Sequence, residues 1–599
     1  MSQEWATIPQ MVFAHAQATP DRCVMKMKRL GAYRDIPWRD LATQVENIAL
    51  GLIDLGVKPG DRVGILSENR PEWALADLAI LCAGGVTVPI YTTLTAQEIE
   101  YVLRDAGVEI IFISTPEAMA KVLSFQKAMD LKVVLFDAPY RVSGPRIWWL
   151  GELIGLGQTS GPSARVSLSQ RIAGAQPEAL ASIIYTSGTT GPPKGVMLTH
   201  GNFLSNCRAI HEVMPIGADD STLSFLPLSH VFERTAGYYF VLYVGGRIAY
   251  AEGLETVPAN LLEIRPTLLT GVPRFYEKTV ERIREAVRSA PAIRRWIFSW
   301  ALRVGLRRTK ILLENRPLPP IVSLTHRIAD RLVFSKLRAR LGGRLRFCIS
   351  GGAPLSKEIA EFFYAAGILI LEGYGLTETS PVITVNRPTQ FRFGSVGVSL
   401  PGVEVKIAPD GEILTRGPHV MRGYFNKPEA TAEAIDPEGW FRTGDIGTLN
   451  PEGFLTITDR KKDLIKTSGG KMVAPQNLEN ALKSDPWITD CVVIGDRRKF
   501  LTVLIVPNIL KLEEFAEKQT LPAGDPEALL KTPQVVNLLW ERVEAVNRTL
   551  APFEQLKKMT LLAEPFTLAS GELTPTLKIK RKVIGERYAA QIEAMYRDV

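Results

Sequence analysis

The chain has 599 residues, of which 46% are hydrophobic and 22% charged, an ordinary globular composition at a length that predicts at least two domains. Lys and Arg outnumber Asp and Glu by eight, a mild excess that suits an anionic substrate, a membrane surface or nucleic acid and does not choose among them. The five cysteines include no Cys-x-x-Cys pair, which argues against a zinc site or a disulfide framework and favours a cytoplasmic location.

The first ten residues show no basic stretch followed by an apolar core, so we expect no signal peptide, and no apolar run is long enough to predict a membrane span.

The first part of the chain predicts strand–helix–strand units. From Gly60 on, "DRVGIL", "VTVPIY" and "VEIIFIS" predict strands, and "RPEWALADLAILCAGG" and "TAQEIEYVLRDAG" predict the helices between them. Similar strand signals recur at Ile183–Tyr185, Gly246–Ala249, Leu268–Thr270, Arg346–Ile349 and Ile368–Leu371. This alternation predicts an α/β fold, with a large N-terminal domain of parallel sheets flanked by helices.

Three further regions follow. Residues 277–346 show helical periodicity, many arginines and the aromatic residues Trp296, Phe298 and Trp300. This basic helical insert is either a solvated part of the body or a contact for anionic lipid headgroups, with nucleic acid as a third interpretation. Residues from about 395 to 458 contain short strands and many turns and predict a β-rich subdomain. We place the domain boundary at 459–464, between the large domain, residues 1–458, and a smaller α/β domain, residues 465–599; the family resemblance described below implies that 459–464 is a hinge and that the smaller domain is mobile.

A glycine-rich loop follows the apolar residues Ala181–Ile184. The stretch "TSGTTGPPKG", Thr186–Gly195, offers backbone N–H groups, hydroxyls and one lysine, which together can form a nest for an anion. Its spacing is not that of the P-loop Gly-x-x-x-x-Gly-Lys-Ser/Thr, because Pro193 stands where that motif has Gly. The next residues, "GVMLTH", predict a strand, with Thr199 as a cap for the following helix. The alternative is a plain surface turn, since turns are made of these residue types.

Four stretches, taken together, resemble one enzyme family. "TSGTTGPPKG" is followed by "YGLTE" at Tyr374–Glu378, "GWFRTGD" at Gly439–Asp445 and "DRKKDLIK" at Asp459–Lys466. In this order they resemble the AMP-forming adenylating enzymes, a family of acyl-CoA synthetases, adenylation domains of peptide synthetases and beetle luciferases. The resemblance runs over nearly the whole chain.

Further stretches are similar to the long-chain fatty acyl-CoA synthetase branch of that family. They are "LPLSHVFER" at Leu226–Arg234, "SGGAPLS" at Ser350–Ser356, "GGKMVAPQNLE" at Gly469–Glu479 and "GELTPTLKIKRKVI" at Gly571–Ile584, together with the basic insert. Each is weaker evidence than the four shared motifs.

The resemblance implies a reaction in two steps. A carboxylate attacks the α-phosphorus of ATP to give acyl-AMP and pyrophosphate, and the thiol of coenzyme A then displaces AMP. Because the first step brings several negative charges together, catalysis must consist mostly of charge neutralisation and alignment. The resemblance therefore implies ATP and coenzyme A as co-substrates, Mg²⁺ as the metal and a fatty acid as the acid, and we expect no nucleic acid partner.

The resemblance also assigns an ATP site. The glycine loop is expected to hold the β- and γ-phosphates, Tyr374 to lie against adenine, and Asp445 to accept the ribose hydroxyls beside Arg460. Glu378 is expected to bind Mg²⁺ with Thr186 as a second ligand, a hard-oxygen set that this ion prefers. The alternative interpretation, which ignores the motifs, is that Tyr374 is a core aromatic residue and Asp445 a turn residue. The implied ATP-binding residues are Thr186, Ser187, Gly188, Thr189, Thr190, Lys194, Gly351, Gly352, Ala353, Glu372, Gly373, Tyr374, Gly375, Thr377, Asp445, Arg460, Lys462 and Lys466.

Four residues are implied to act in catalysis: Lys578, His230, Thr377 and Glu378. Thr377 would contact the α-phosphate. His230 lies either beside the carboxylate and acyl pocket or in a purely structural position.

Lys578 matches the family's adenylation lysine on the mobile domain, although Leu577 stands where the family has Gly. Lys580 is the alternative, and on pattern alone "LKIKRKV" predicts a strand with a solvated basic face. The resemblance further places Lys462 at the hinge, and Gly469 and Gly470 on the route of the pantetheine arm.

The sequence thus predicts a long-chain fatty acid–CoA ligase, cytoplasmic, with membrane association through the insert as an added expectation. Two enzymes of the same family stay open: a fatty acyl-AMP ligase that passes the adenylate to a carrier protein, and a medium-chain or aromatic acid–CoA ligase. A protein that binds ATP without turnover is the alternative from another class.

Overall fold

The computed structural model describes residues 5–137, 144, 146–186, 192–468, 471–519, 521, 525–567, 570–573 and 579–597. The chain forms two compact units. The first consists of Met1–Lys406, Leu414–Arg442 and Asn450–Leu455, and the second of Ile407–Ile413, Thr443–Leu449 and Thr456–Val599. The proposed hinge at 459–464 falls just inside the continuous part of the second unit, and the domain limits from the sequence stay a prediction.

The strands follow in chain order. Those up to residue 399 are β1 (Cys23–Arg29), β2 (Ala32–Pro37), β3 (Arg62–Leu66), β4 (Val86–Ile90), β5 (Ile110–Ile113), β6 (Lys132–Leu135), β7 (Ile147–Trp149), β8 (Leu180–Thr186), β9 (Lys194–Thr199), β10 (Ser221–Ser224), β11 (Arg247–Tyr250), β12 (Leu268–Gly271), β13 (Phe347–Ser350), β14 (Leu369–Gly375), β15 (Val382–Val385) and β16 (Val398–Ser399). The later strands are β17 (Glu404–Ile407), β18 (Glu412–Arg416), β19 (Gly423–Tyr424), β20 (Phe441–Leu449), β21 (Leu455–Arg460), β22 (Ile465–Lys466), β23 (Met472–Val473), β24 (Ile488–Ile494), β25 (Leu501–Pro507) and β26 (Leu556–Leu561).

The helices cover the sheets and build the insert. Those up to residue 329 are α1 (Ile8–Ala18), α2 (Trp38–Asp54), α3 (Pro71–Cys82), α4 (Ala96–Ala106), α5 (Pro116–Leu123), α6 (Leu150–Thr159), α7 (Pro162–Gly174), α8 (His200–Val213), α9 (Phe240–Tyr243), α10 (Val257–Ile264), α11 (Pro273–Arg288), α12 (Ala292–Leu313) and α13 (Pro320–Ala329). The later helices are α14 (Ser335–Arg340), α15 (Lys357–Ala365), α16 (Pro428–Ala434), α17 (Pro475–Lys483), α18 (Ile509–Gln519), α19 (Pro526–Leu530), α20 (Pro533–Asn547), α21 (Arg581–Arg587) and α22 (Ala589–Tyr596). Two π-helical segments, Glu233–Tyr239 and Asp330–Phe334, and a 3₁₀ turn, Thr377–Thr379, complete the set.

Two large sheets dominate the first unit. One has nine strands in the order β16-β15-β14-β13-β12-β10-β11-β1-β2, and the other has eight in the order β19-β9-β8-β4-β3-β5-β6-β7. The central pairs are parallel in both sheets, and antiparallel strands are added at the edges. The predicted α/β class with parallel sheets flanked by helices is therefore confirmed.

Local sequence chemistry explains why the predicted elements form. Helix α4 begins with a capping box: the Thr95 hydroxyl accepts from the N–H of Glu98, and the Glu98 carboxylate accepts from the N–H of Thr95. The helix ends at Gly107, which has φ +64°. Thr199 caps α8 in the same way through Asn202, as its position after a predicted strand indicated. Strands β4 and β5 are buried at every residue, which agrees with their nearly continuous apolar sequence.

Smaller sheets follow the two large ones. A four-stranded sheet has the order β17-β18-β20-β21, and the boundary between the two units falls within its strands. The second unit also contains the pair β22-β23 and the sheet β24-β25-β26, against which α17, α18 and α20 pack through a core that includes Leu482, Val503, Leu512 and Leu539. Among the helices that the structure describes, none combines the length and the apolar character that a bilayer crossing requires.

A buried ion pair lies inside the first unit. Arg234, in the π-helical segment, and Asp77, in α3, are both fully buried and in direct contact. Arg234 also donates to the hydroxyls of Ser182 in β8 (2.7 Å) and Tyr239 (2.8 Å). Asp77 accepts from Tyr239 (2.7 Å) and from Thr87 in β4 (2.8 Å). Burial alone would lower the pKa of Arg234, but the Asp77 charge and the Tyr239 hydroxyl raise it, so the guanidinium stays charged.

Asp77→Asn should destabilise the first unit strongly. The substitution leaves the buried Arg234 guanidinium without a counter-charge, and breaking a buried pair in this way costs about 3–5 kcal/mol. The matched control is Asp219→Asn, because Asp219 pairs with Arg22 at 2.9 Å with its side chain fully exposed, and this change should leave stability nearly unaltered. Thermal unfolding of both variants checks the expectation. Equal midpoints for the two variants would contradict it.

Candidate active site

The carboxyl ends of neighbouring parallel strands bring several predicted residues together. Ser350 at the end of β13 pairs with Glu372 in β14, so Gly351–Ala353 and Gly373–Tyr374 extend from the same edge of the nine-stranded sheet. In α/β sheets this edge is where ligands bind. Two of the glycines allow close backbone approach here: a Cβ on Gly351 would lie 3.0 Å from the Phe232 ring, and one on Gly375 only 1.7 Å from the Pro381 carbonyl oxygen.

Glu372 connects these two segments. Its buried carboxylate accepts from the backbone N–H of Leu355 at 3.2 Å, just after Gly351–Ala353. Burial raises the pKa of Glu372 to about 7, although the Leu355 N–H opposes the shift. Tyr374, two residues on, is buried and pairs with Thr384 of β15. The stacking of Tyr374 on adenine stays a prediction.

His230 lies on the segment that follows β10 at the same sheet edge. Its Nδ1 accepts from the N–H of Phe232 at 3.2 Å, and its carbonyl accepts from the N–H of Arg234 at 3.0 Å. Because Phe232 lies against Gly351, the His230 segment adjoins the Gly351–Ala353 turn. The next residue, Glu233, is fully buried and accepts from the Thr270 hydroxyl at 2.8 Å. The catalytic assignment of His230 stays a prediction.

The glycine loop connects β8 and β9, which pair antiparallel from Leu180↔Thr199 to Thr186↔Lys194. Ser187, Gly188, Thr189 and Thr190 lie outside the described residues. Both flanks of the loop are anchored: the Tyr185 hydroxyl donates to Asp105 at 2.6 Å, and the Tyr101 hydroxyl donates to the Pro193 carbonyl at 3.1 Å. Thr186 and Lys194 therefore face each other at the two ends of a fixed hairpin.

One residue that the sequence analysis missed links this hairpin to Glu378. Tyr424, in β19, donates from its hydroxyl to Oε1 of Glu378 at 2.9 Å, and its ring lies 5.0 Å below the Lys194 ammonium. Burial, and then the Glu378 carboxylate, raise the pKa of Tyr424, so its hydroxyl stays protonated and acts as the donor. The backbone holds the arrangement, because Tyr424 pairs with Val196 of β9 and the Met421 N–H donates to the Glu378 carbonyl at 2.8 Å.

The donor set around Glu378 suits magnesium. Mg²⁺ is usually bound by one or two carboxylates together with substrate phosphates, rather than by a protein cage. Glu378 and Thr377 lie in the turn Thr377–Thr379, half-buried, and Glu378 offers a carboxylate oriented by Tyr424. Within the part of the chain that the structure describes, no group of three or more His, Cys, Asp or Glu side chains forms such a cage. The Glu378 carboxylate, oriented by Tyr424, is a ligand of the kind that fits a metal bound together with phosphates.

The second unit carries the predicted ribose pair. Asp445 in β20 is buried, and its Oδ1 lies 3.3 Å from Nε of Arg460 in β21. The Asp445 N–H donates to the Thr443 hydroxyl at 3.1 Å, and the Gly444 N–H donates to Glu412 at 3.0 Å, so the turn before Asp445 is fixed. The structure thus brings Asp445 and Arg460 together as predicted.

The predicted hinge forms a turn directly after β21. The N–H groups of Asp463 and Leu464 donate to the Arg460 carbonyl at 2.9 and 3.1 Å. Lys461 forms ion pairs with Asp410 (2.7 Å) and Glu412 (2.8 Å), and Lys462 is exposed. Lys466, also exposed, lies in β22, while Gly469 and Gly470 lie outside the described residues. The hinge role of Lys462 stays a prediction.

Lys578 also lies outside the described residues, but the residues that follow it are fixed. Ile579 pairs with Leu573, and the Lys580 N–H donates to the Glu572 carbonyl at 2.7 Å. Arg581 begins α21 and donates to the buried carboxylate of Glu479 at 2.6 Å. The prediction of a strand over "LKIKRKV" is therefore wrong from Arg581 onward, because helix α21 begins there, although Lys582 is exposed as a solvated basic residue would be.

Comparisons with known proteins identify the family. The family model described as "AMP-binding enzyme" matches residues 12–425, and that described as "AMP-binding enzyme C-terminal domain" matches residues 462–599. Together they cover nearly the whole chain, and the predicted family resemblance is confirmed. The chain belongs to the AMP-binding enzyme family.

Within the family, the chain is similar over nearly its full length to long-chain fatty acid–CoA ligases. The chain is 37% identical over 601 residues to the long-chain-fatty-acid–CoA ligase FadD15 of Mycobacterium bovis, a match that covers 99% of this chain and 97% of the relative. It is 34% identical over 599 residues to the peroxisomal long chain acyl-CoA synthetase 6 of Arabidopsis thaliana, covering 95% of this chain and 82% of the relative.

Solved structures support the fold. The adenylation domain of a carboxylate reductase from Mycobacterium chelonae matches with a TM-score of 0.75 at 23% identity, covering 100% of this chain and 92% of that one. The anthranilate CoA ligase AuaEII in complex with anthranoyl-AMP matches with a TM-score of 0.72 at 20% identity, covering 99% of this chain and 98% of that one. At these identities the likeness concerns the fold alone.

Tyr424→Phe should weaken turnover with ATP. The variant keeps the ring beneath Lys194 but removes the hydrogen bond to Glu378, and a bond to a charged group contributes about 1.5–3 kcal/mol, or roughly tenfold to a hundredfold in kcat/KM. Tyr424→Leu, which also removes the ring, should lose more. Tyr33→Phe is the matched control, since its hydroxyl donates only to the Tyr250 carbonyl. Wild-type kinetics for Tyr424→Phe would refute the linking role.

Glu479→Gln should impair the formation of acyl-AMP more than its conversion to the thioester. The change removes the charge that holds Arg581, three residues after Lys578, the predicted adenylation lysine, and small misplacements of a catalytic group cost large factors in rate. We expect about a tenfold loss in pyrophosphate release, with supplied acyl-AMP consumed at nearly the wild-type rate. Arg497→Gln, at an exposed position in the same unit, is the control. Equal losses in both steps would indicate a general structural role instead.

Proposed function

We propose that the protein is an AMP-forming long-chain fatty acid–CoA ligase. Similarity to FadD15 at 37% identity over nearly the full length of both chains is the observation that carries this proposal. The juxtaposition of Lys194, Tyr424 and Glu378 supports it, because it supplies a cation and an oriented carboxylate beside the phosphate loop.

In the first half-reaction, a carboxylate oxygen of the fatty acid forms a bond to the α-phosphorus of ATP, and the bond to the bridging oxygen breaks to release pyrophosphate. Lys194 and the backbone of the glycine loop offset the charge of the leaving group, and Tyr424 fixes both Lys194 and Glu378 in place. Glu378, with Thr186, would hold Mg²⁺, which supplies neutralisation of the phosphate charge when bound.

In the second half-reaction, the thiol sulfur of coenzyme A bonds to the acyl carbon, the bond to the phosphate oxygen of AMP breaks, and the thiol proton is released. Asp445, oriented by Arg460, would accept the ribose hydroxyls in both steps. Lys578 would stabilise the α-phosphate charge during adenylation. Rotation of the smaller domain at Lys462 would then move Lys578 away from the site and bring in Gly469 and Gly470, which would line the route of the pantetheine arm.

We further propose that the enzyme works in the cytoplasm and meets its substrate at membranes. Long-chain fatty acids partition into bilayers, because each buried methylene favours transfer out of water by about 0.8 kcal/mol. The basic insert would contact anionic lipid there.

Release of AMP and pyrophosphate in the presence of palmitate, measured with and without coenzyme A, tests the activity. We expect both products, and a thioester only when coenzyme A is present. Pyrophosphate release without thioester formation would identify a fatty acyl-AMP ligase. Highest activity with medium-chain or aromatic acids, in a panel of acids, would identify a medium-chain or aromatic acid–CoA ligase. ADP as the product, or no fatty-acid-dependent release, would overturn the proposal.

Lys578→Ala should reduce acyl-AMP formation by about a hundredfold or more, because it removes the charge expected at the α-phosphate, while thioester formation from supplied acyl-AMP continues. Lys580→Ala is the matched control, two residues away in the same basic stretch, and should change neither step much. If Lys580→Ala shows the selective loss and Lys578→Ala does not, the lysine has been assigned to the wrong position.

A further inference from the structure

The helical insert holds the excess positive charge of the chain. Residues 292–340, from the start of α12 to the end of α14, contain twelve Lys and Arg and only two acidic residues, a net charge of +10. The whole chain has a net charge of +8, so the remainder is slightly negative. The two acidic residues, Glu314 and Asp330, are already paired with Arg316 and Arg338.

The same segment exposes large hydrophobic side chains. Among the described residues seventeen such side chains are exposed, and eight of them lie between 293 and 332. Four form one face of α13 and the π-helical turn after it: Ile321, Leu324, Ile328 and Leu332, spaced by three and four residues and between 44% and 67% exposed. We call this row the α13 face.

Arginines border the α13 face. Arg327 and Arg331 are exposed and directly precede Ile328 and Leu332 in the chain. Helix α12, which packs against α13, adds the exposed residues Arg303 and Arg307 to the insert, and Trp296 near its N-terminal end is 62% exposed. A helix face with an aliphatic row and flanking guanidiniums is the pattern of a surface that lies in the headgroup region of a bilayer.

We propose that the α13 face docks on an anionic lipid bilayer, with Ile321, Leu324, Ile328 and Leu332 in the acyl boundary and Arg327 and Arg331 on lipid phosphates. Charge complementarity favours this partner, since each cation near an anionic membrane surface adds to the attraction. Nucleic acid fits less well, because aliphatic side chains offer no stacking surface to bases. The inference rests on the membrane contact proposed above and not on the proposed chemistry, so binding and turnover test the two separately.

Flotation of the full-length protein with vesicles tests the docking. Wild type should bind vesicles of phosphatidylcholine and phosphatidylglycerol, bind phosphatidylcholine vesicles far less, and dissociate as salt is raised. Leu324→Asn/Ile328→Asn and Arg327→Gln/Arg331→Gln should each weaken binding about tenfold or more. The control is Leu254→Asn/Leu510→Asn, which removes two leucines that are 70% and 74% exposed elsewhere and should change binding less than about twofold.

Ligase activity with an acid short enough to stay dissolved is measured on every variant in parallel, and we expect it to be unchanged by the α13-face substitutions. Vesicle binding that ignores lipid charge, or that survives both α13-face variants, overturns the proposal. So does retention of a single-stranded oligonucleotide that depends on Arg327 and Arg331 but not on the aliphatic row, or self-association lost in Leu324→Asn/Ile328→Asn. Vesicle binding as expected without any ligase activity would uphold the docking surface and refute the proposed chemistry alone.

Discussion

The buried pair of Arg234 and Asp77 is the constraint on which the first unit depends. A guanidinium and a carboxylate that are buried from solvent are tolerated only when both are well hydrogen-bonded. Here Ser182 accepts from Arg234, and Thr87 and Tyr239 donate to Asp77. The cluster joins β4 and β8 of the eight-stranded sheet, and helix α3, to the π-helical segment, which lies between β10 and β11 of the nine-stranded sheet in the chain. Moving that segment away from β4 and β8 would leave a buried charge unpaired.

The proposed phosphate end of the site also draws residues from both large sheets. Lys194 comes from the eight-stranded sheet, whereas Glu378 follows β14 of the nine-stranded sheet. Tyr424 contacts both residues: its hydroxyl donates to Glu378, and its ring lies beneath the Lys194 ammonium. Both contacts hold only if the two sheets keep their spacing. The cation and the carboxylate are therefore positioned before ATP arrives, which is the arrangement that electrostatic catalysis requires.

The sequence was sufficient for the class of fold and for the family, because apolar periodicity and glycine-rich motifs are local signals. It was insufficient where a role depends on pairing between distant strands. Tyr424 lies in a short turn-rich stretch, and only its pairing with Val196 across the sheet edge brings it to Lys194. The strand predicted over "LKIKRKV" fails for a similar reason: alternating lysines resemble a strand, but helix α21 begins at Arg581, whose side chain pairs with Glu479 about a hundred residues earlier. An isolated Gly-Tyr-Phe in a polar segment was the one local hint at Tyr424.

The placement of charge separates substrate binding from surface binding. Since residues 292–340 account for more than the whole positive excess, the basic character of the chain does not come from the site for ATP. The rest of the chain has a slightly negative net charge, so it offers no overall positive field for ATP, and under the proposed function ATP would be held by close contacts such as that of Lys194. Salt should therefore affect the two functions differently: contacts within a half-buried site are weakly screened, whereas exposed arginines on the insert are strongly screened.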